Sequence, residues 1–182
     1  MIDRKRTACF TGHRKIHEKD IQKIEKRLDK IIKKLYKKGV IFYGVGGSYG
    51  FDLVAERAVI RARNKHNDIK LILVLPCKNQ EKYWIEDNKA AFTEIKSQAD
   101  KIVYTSENYT NGCMHKRNRH LVDFSGYCVA YLNENSGGTA YTVNYARQNG
   151  LEIVNLVSLS DLKFVWFGDS FILKNMVLLS RR

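Results

Sequence analysis

Two glycine-rich loops and a few charged side chains are the residues of this chain best suited to chemistry. Gly44, Gly46, Gly47 and Gly50, with Ser48 among them, follow an apolar run and lead into the amphipathic stretch that Phe51 opens. Glycine at a strand-to-helix junction permits positive φ and close backbone approach to an anion. The helix start beyond it offers free N–H groups and a partial positive charge to phosphate. The spacing is not G-x-G-x-x-G, because Tyr49 stands in the third glycine's place, and GxxxxGK[ST] is absent. A tight turn would use the same glycines. Ser136-Gly137-Gly138-Thr139 repeats the device, and Ser136, Thr139 and Thr142 add hydroxyl donors. An N-cap with its turn is the structural alternative there.

Asp52 and Glu56 lie one helical turn apart on one face. They suit ribose hydroxyls or acid–base work, and equally a first-turn acid and a partner for a nearby cation. His115, Arg117, Asn118, Arg119 and His120 form a polar cluster in a helical segment, where Arg117 and Asn118 suit phosphate or base contacts. A solvated basic face would look the same. No spacing of His and Cys matches a metal site, so none is expected. Gly12, His13 and Arg14 close an apolar run and can reach the same region as a turn.

These groups must be positioned by alternating strands and helices. Thr7–Thr11, Val40–Tyr43, Leu71–Leu75, Lys101–Thr105, Tyr127–Leu132 and Glu152–Val157 read as strands. Helices are expected over Asp20–Lys38, from Phe51 to Ala62, and over Gln80–Gln98, Met114–Phe124 and Thr139–Gln148. Gly39 is placed to stop the first. Strictly alternating elements imply βαβ units: an α/β, Rossmann-like, doubly wound and mostly parallel sheet with helices on both faces. Ligands in such sheets bind beyond the carboxyl ends of the strands. That selects the loops 12–17, 44–50, 106–113 and 133–138.

The chain has 182 residues, 44% hydrophobic and 28% charged, with one Pro. One domain over residues 1–158 is expected, with 159–182 as an extension packed on it. Disordered and fibrous classes are excluded by this composition, and no apolar run is long enough for a membrane span. Net charge is +13, and residues 1–40 hold 14 basic against 5 acidic side chains. The excess is thus largely the Lys23–Lys38 helix, which offers a solvated face and nonspecific nucleic-acid affinity. Cys9, Cys77, Cys113 and Cys128 form no CxxC pair and suit reduced, buried thiols in a cytoplasmic protein.

Several segments together resemble the SLOG superfamily, which holds the Smf/DprA DNA-processing proteins and the "lonely guy" phosphoribohydrolases, and within it the YpsA-like branch. They are CFTGHR (Cys9–Arg14), GVGGSYGFDLVAE (Gly44–Glu56), LPCKNQEKYW (Leu75–Trp84), YTNGCMHKRNRHLVDFS (Tyr109–Ser125) and NSGGTAYTVNYA (Asn135–Ala146). The resemblance implies a pocket for a nucleotide or a derivative such as ADP-ribose, NAD or a nucleoside monophosphate. Lonely-guy enzymes cleave the N-glycosidic bond of nucleoside 5′-monophosphates, with an Arg in MHxRK and a Glu in PGGxGTxxE. Here Met114, His115 and Arg117 match the first motif, with Asn118 in place of Lys. Asn144 stands where the second has Glu, and Asn is no general base. Asp52, Glu56 and Arg117 are then the catalytic candidates.

The ligand-binding expectation joins Gly12, His13, Arg14, Gly46, Gly47, Ser48, Gly50, Asp52, Glu56, Arg117, Asn118, Ser136, Gly137, Gly138, Thr139 and Thr142. Backbone amides of the glycines cradle phosphate, Arg117 pairs with it, and Asp52 or Glu56 holds ribose hydroxyls. The alternatives are phosphoribohydrolase activity and single-stranded DNA binding. Self-association is compatible with the fold, and no membrane partner is expected.

Overall fold

In the computed structural model, residues 3–157 are described; the expected extension over 159–182 lies outside them. The first helix, α1 (Glu18–Lys37), buries Ile24, Leu28, Ile31, Ile32 and Leu35 at spacings of three and four. Its end is a Schellman motif. Gly39 takes φ 90°, its N–H donates to the Tyr36 carbonyl, and the Val40 N–H donates to the Leu35 carbonyl. Val40 therefore belongs to the helix end. The strand expected over Val40–Tyr43 starts later, as β2 (Phe42–Val45).

The other strands are β1 (Thr7–Gly12), β3 (Lys70–Leu75), β4 (Lys101–Tyr104), β5 (Tyr127–Tyr131) and β6 (Glu152–Asn155). All pairings are parallel, in the order β4-β3-β2-β1-β5-β6. From β1 the chain steps outward to β4 through α1, α2 (Phe51–Arg63) and α3 (Glu86–Gln98). It then crosses back through α4 (Cys113–Asp123) to β5, beside β1, and reaches β6 through α5 (Gly137–Gln148). Right-handed crossovers put the first three helices on one face and the last two on the other.

Alternating strand residues feed the two layers. Ala8 and Phe10 of β1 join the core under α1–α3, while Cys9 joins the core under α4 and α5. All four cysteines are buried and free. Among the described residues no helix is long and apolar enough to cross a membrane.

Strand order reverses between β1 and β5, and a crevice opens there at the strands' carboxyl ends. β4 is an edge strand, so its loop at 106–113 contributes to the crevice through α4, which starts where that loop ends. The helix expected from Gln80 begins at Glu86. Turns occupy the residues before it and bring the Gln80 amide to the Gly47 carbonyl at 2.7 Å.

Candidate functional site

Gly46 and Arg117 shape the crevice. A Cβ on Gly46 would collide with the Arg117 guanidinium, so only glycine leaves that group its place. Arg117 comes from the first turns of α4 and is 8% exposed. Its Nη1 lies 3.6 Å from Asp52 Oδ2, and the same oxygen accepts the Ser48 N–H at 3.2 Å. Asp52 is a first-turn acid of α2, and it caps the loop that precedes its own helix.

Glu56 lies one turn deeper and is 1% exposed. Burial pushes its carboxyl well above the ordinary value, and the Asp52 charge pushes the same way. The Gly47 amide and Arg117 oppose that rise. Burial likewise raises Asp52, against the pull of Arg117 and of the Ser48 amide. Burial also lowers Arg117, which remains a cation because guanidinium does not deprotonate in proteins. Glu56 Oε1 and Arg117 Nε are buried without hydrogen-bond partners. Arg117 thus faces two carboxyl groups, Arg14 adds a pull on Asp52, and burial with the Asp52 charge biases Glu56 toward its protonated form.

The cavity in front of this cluster measures about 380 Å³. Its lining includes Gly12, His13, Arg14, Ser48, Asp52 and Arg117, with Asn118, Gly138 and Thr139 on the far side. The loop after β1 is tied to both neighbours. The His13 carbonyl accepts the Phe51 N–H at 3.2 Å, and His13 Nε2 accepts the Asn133 N–H at 3.4 Å. Gly50, with φ 81°, passes the Arg14 backbone too closely for any side chain. At the rim Arg14 Nε donates to Ser48 Oγ at 3.1 Å, and its guanidinium lies over the Tyr49 ring. The N-terminus of α5 has no side-chain cap at Ser136, so it opens on the cavity at Gly138 and Thr139 with unspent donors.

The expected residues fall into three groups. Gly12, His13, Arg14, Ser48, Asp52, Arg117, Asn118, Gly138 and Thr139 line one cavity. Gly46, Gly47, Gly50 and Glu56 stand behind it. The amides of Gly47 and Ser48 already face Glu56 and Asp52, so this loop's donors turn inward. Ser136 and Gly137 are exposed beside the α5 start, and the Thr142 hydroxyl donates to the Gly138 carbonyl at 2.7 Å. Asn144 is exposed and bonded to Arg147, away from the cavity. The lysines of α1 do not line it either. Sequence reasoning missed Gln80, which braces Gly47, and the lining residues Phe10, Thr11, Met114 and Leu121. Between Asn79 and Glu81 nothing in the sequence sets Gln80 apart, because its burial comes from the distant Gly47 loop. Among the described residues no cluster of His, Cys, Asp and Glu is arranged to hold a metal ion.

Fold and crevice together define an open parallel α/β protein with a polar cavity at the switch in strand order. A family model described as the YspA SLOG family matches residues 9–160. The chain belongs to that family. It is 30% identical over 118 residues to YoqJ, an SPbeta prophage-derived protein of Bacillus subtilis (strain 168), covering 58% of this chain and 69% of that protein. It is 29% identical over 152 residues to a UPF0398 protein of Bacillus cereus (strain B4264), covering 82% of this chain and 80% of the relative.

Among solved structures it resembles DNA processing protein A of Streptococcus pneumoniae, with TM-score 0.58 and 16% identity over 81% of this chain. The Helicobacter pylori protein of that name gives TM-score 0.59 and 16% identity over 84% of this chain. The chain spans 48% and 65% of those two proteins. At this identity the likeness is one of fold.

Two consequences can be measured. An unfolded carboxyl of this type releases its proton near 4.5, whereas folded Glu56 keeps it to higher pH. The folded state then binds more protons, so this contribution to stability is full below that value and is lost as pH rises toward the folded-state pKa. Glu56→Gln removes the titration. Thermal melts from about pH 5 to about pH 8 should show a flatter decline than in the native protein, and an unchanged slope contradicts the assignment. Gly46→Ala should displace the guanidinium and cost about 1–3 kcal/mol in urea unfolding. A cost near zero would mean that Arg117 does not occupy that space.

Proposed function

We propose that the crevice binds a nucleotide or nucleotide-derived ligand of the nucleoside monophosphate, ADP-ribose or NAD type. The observation that carries this reading is a buried guanidinium with an unpartnered Nε, in a cavity that the uncapped start of α5 also lines. Helix N-termini and fixed guanidinium groups both favour phosphate. In this reading the amides of Gly138 and Thr139 receive the phosphate with Asn118, and Arg117 supplies charge behind them. Asp52, held from below by Ser48 and Arg117, accepts ribose hydroxyls. Arg14 closes the rim from its stack on Tyr49. The inward-facing amides of the first glycine loop support placing phosphate at the second loop, with the first shaping the pocket.

A second reading, N-glycosidic hydrolysis, is favoured by one observation. Asp52 borders the cavity and its carboxyl is raised by burial, as a proton donor's should be. Glu56 does not line the cavity, so the acid of such a reaction would be Asp52.

One panel tests both readings: AMP, ADP, ADP-ribose, NAD and a short single-stranded DNA, by thermal shift at physiological salt. Ligand at 100 times Kd should add about 2.7 kcal/mol of stability. One nucleotide should raise the melting temperature, and Asn118→Ala should weaken its binding about tenfold, the loss of one hydrogen bond to a charged group. No shift with any nucleotide, or a shift with DNA alone, overturns the proposal. Ribose 5-phosphate released from the bound monophosphate would establish the second reading, and none at high enzyme concentration would dismiss it.

A further inference from the structure

A second concavity lies on the α4 side of the sheet, toward the strands' amino ends. On that side α4 and α5 cover β1, β5 and β6, while β2, β3 and β4 are covered only where α4 passes over them. The floor is built by alternate residues of three strands: Phe42, then Ile72 and Val74, then Val103. Register sets them side by side, with Gly44 against Ile72 and Val74 against Val103. Leu121 and Phe124 of α4 form the wall, and Phe124 is 41% exposed at the mouth. Gly44 brings that wall close, since a Cβ there would touch Leu121. The space is about 340 Å³, within the range of small-molecule sites.

The rim has a different character. Arg6 and Lys101 border the cavity, and neither forms an ion pair among the described residues. Arg6 ends a short 3₁₀ turn, Arg4–Arg6, whose three residues are all basic and exposed. The one carboxylate at the rim, Asp3, accepts the Lys5 N–H at 3.0 Å and caps that turn. His120 completes the edge beside Phe124. An apolar floor with unbalanced cations at its mouth has the chemistry of a site for one apolar body with one anionic head.

Of the two ends of the described residues, Asp3 borders the groove and Leu156–Val157 do not. Leu156 and Val157, the last described residues, pack on the α1 side of the sheet, beyond the far edge strand β6. The groove is also separate from the crevice at the carboxyl ends, with which it shares only Leu121.

We infer that the groove between α4 and strands β2–β4 binds an amphipathic carboxylate, its apolar body on Phe42, Ile72, Val74 and Val103 and its head at Arg6 and Lys101. The probe is decanoate, titrated into the full chain by calorimetry, with decanol as the neutral control. Saturable binding of decanoate is expected, at least tenfold tighter than decanol. The exposed-site double variant Arg6→Glu with Lys101→Glu should fold normally and lose decanoate at least tenfold. Ile72→Trp, which fills the floor, should abolish binding and leave the crevice unaffected. Absence of saturable binding to the native chain overturns the inference. So does equal affinity for decanol, or undiminished binding to the charge-reversed variant. If the native chain is dimeric and refuses decanoate while Ile72→Trp dissociates it, a second copy fills the groove and the inference also fails.

Discussion

Arg117 occupies the volume that a side chain at position 46 would need, and much else follows from that one placement. A guanidinium buried to this degree is tolerable only with carboxylates near it. Asp52 and Glu56 supply them from adjacent turns of α2. The two carboxyl groups cannot both be charged cheaply beside one cation, so burial drives Glu56 toward its neutral form. Asp52 keeps one oxygen on the Ser48 amide and on Arg117, and the first glycine loop is locked from inside. The cluster therefore fixes α2, α4 and the loop between β2 and α2 relative to one another.

The topology turns that fixed point into a crevice. Because β5 returns beside β1, the loops after both strands diverge above the sheet. α4 must travel back from the edge strand β4, and in doing so it carries Arg117 and Asn118 to the centre of the molecule. The start of α5 faces them. Cation, carboxylate and helix terminus thus arrive from three separate crossovers. The same return path leaves part of β2–β4 uncovered on the α4 side, where the second groove forms. The two concavities are consequences of one connection.

Much of this was legible in the sequence because apolar spacing and glycine placement are local signals. The period of α1, its glycine stop and the alternation of strands and helices all emerge from short windows of sequence. So does family membership, through motifs at Gly44–Glu56 and Tyr109–Ser125. What stayed hidden depends on long-range packing. Val40 reads as strand until its N–H is seen to close the helix at Leu35. Gln80–Trp84 reads as helix, yet it forms local turns, and its Gln80 amide is held by the Gly47 carbonyl more than thirty residues earlier. Composition suggests that the glycines of the first loop offer amides to a ligand. Only the placement of Asp52 and Glu56 shows those amides turned inward, with Gly46 serving to admit Arg117.

The most direct test of this account is a double-mutant cycle on Asp52 and Arg117, read as unfolding free energy in urea. Asp52→Asn and Arg117→Met should each cost about 3–5 kcal/mol, since each leaves a buried charge without its partner. The double variant should cost less than the sum by about 1–3 kcal/mol, as expected for residues in one buried network. Costs that add within about 0.5 kcal/mol would show that the two side chains do not act on each other. The crevice would then need another organising centre.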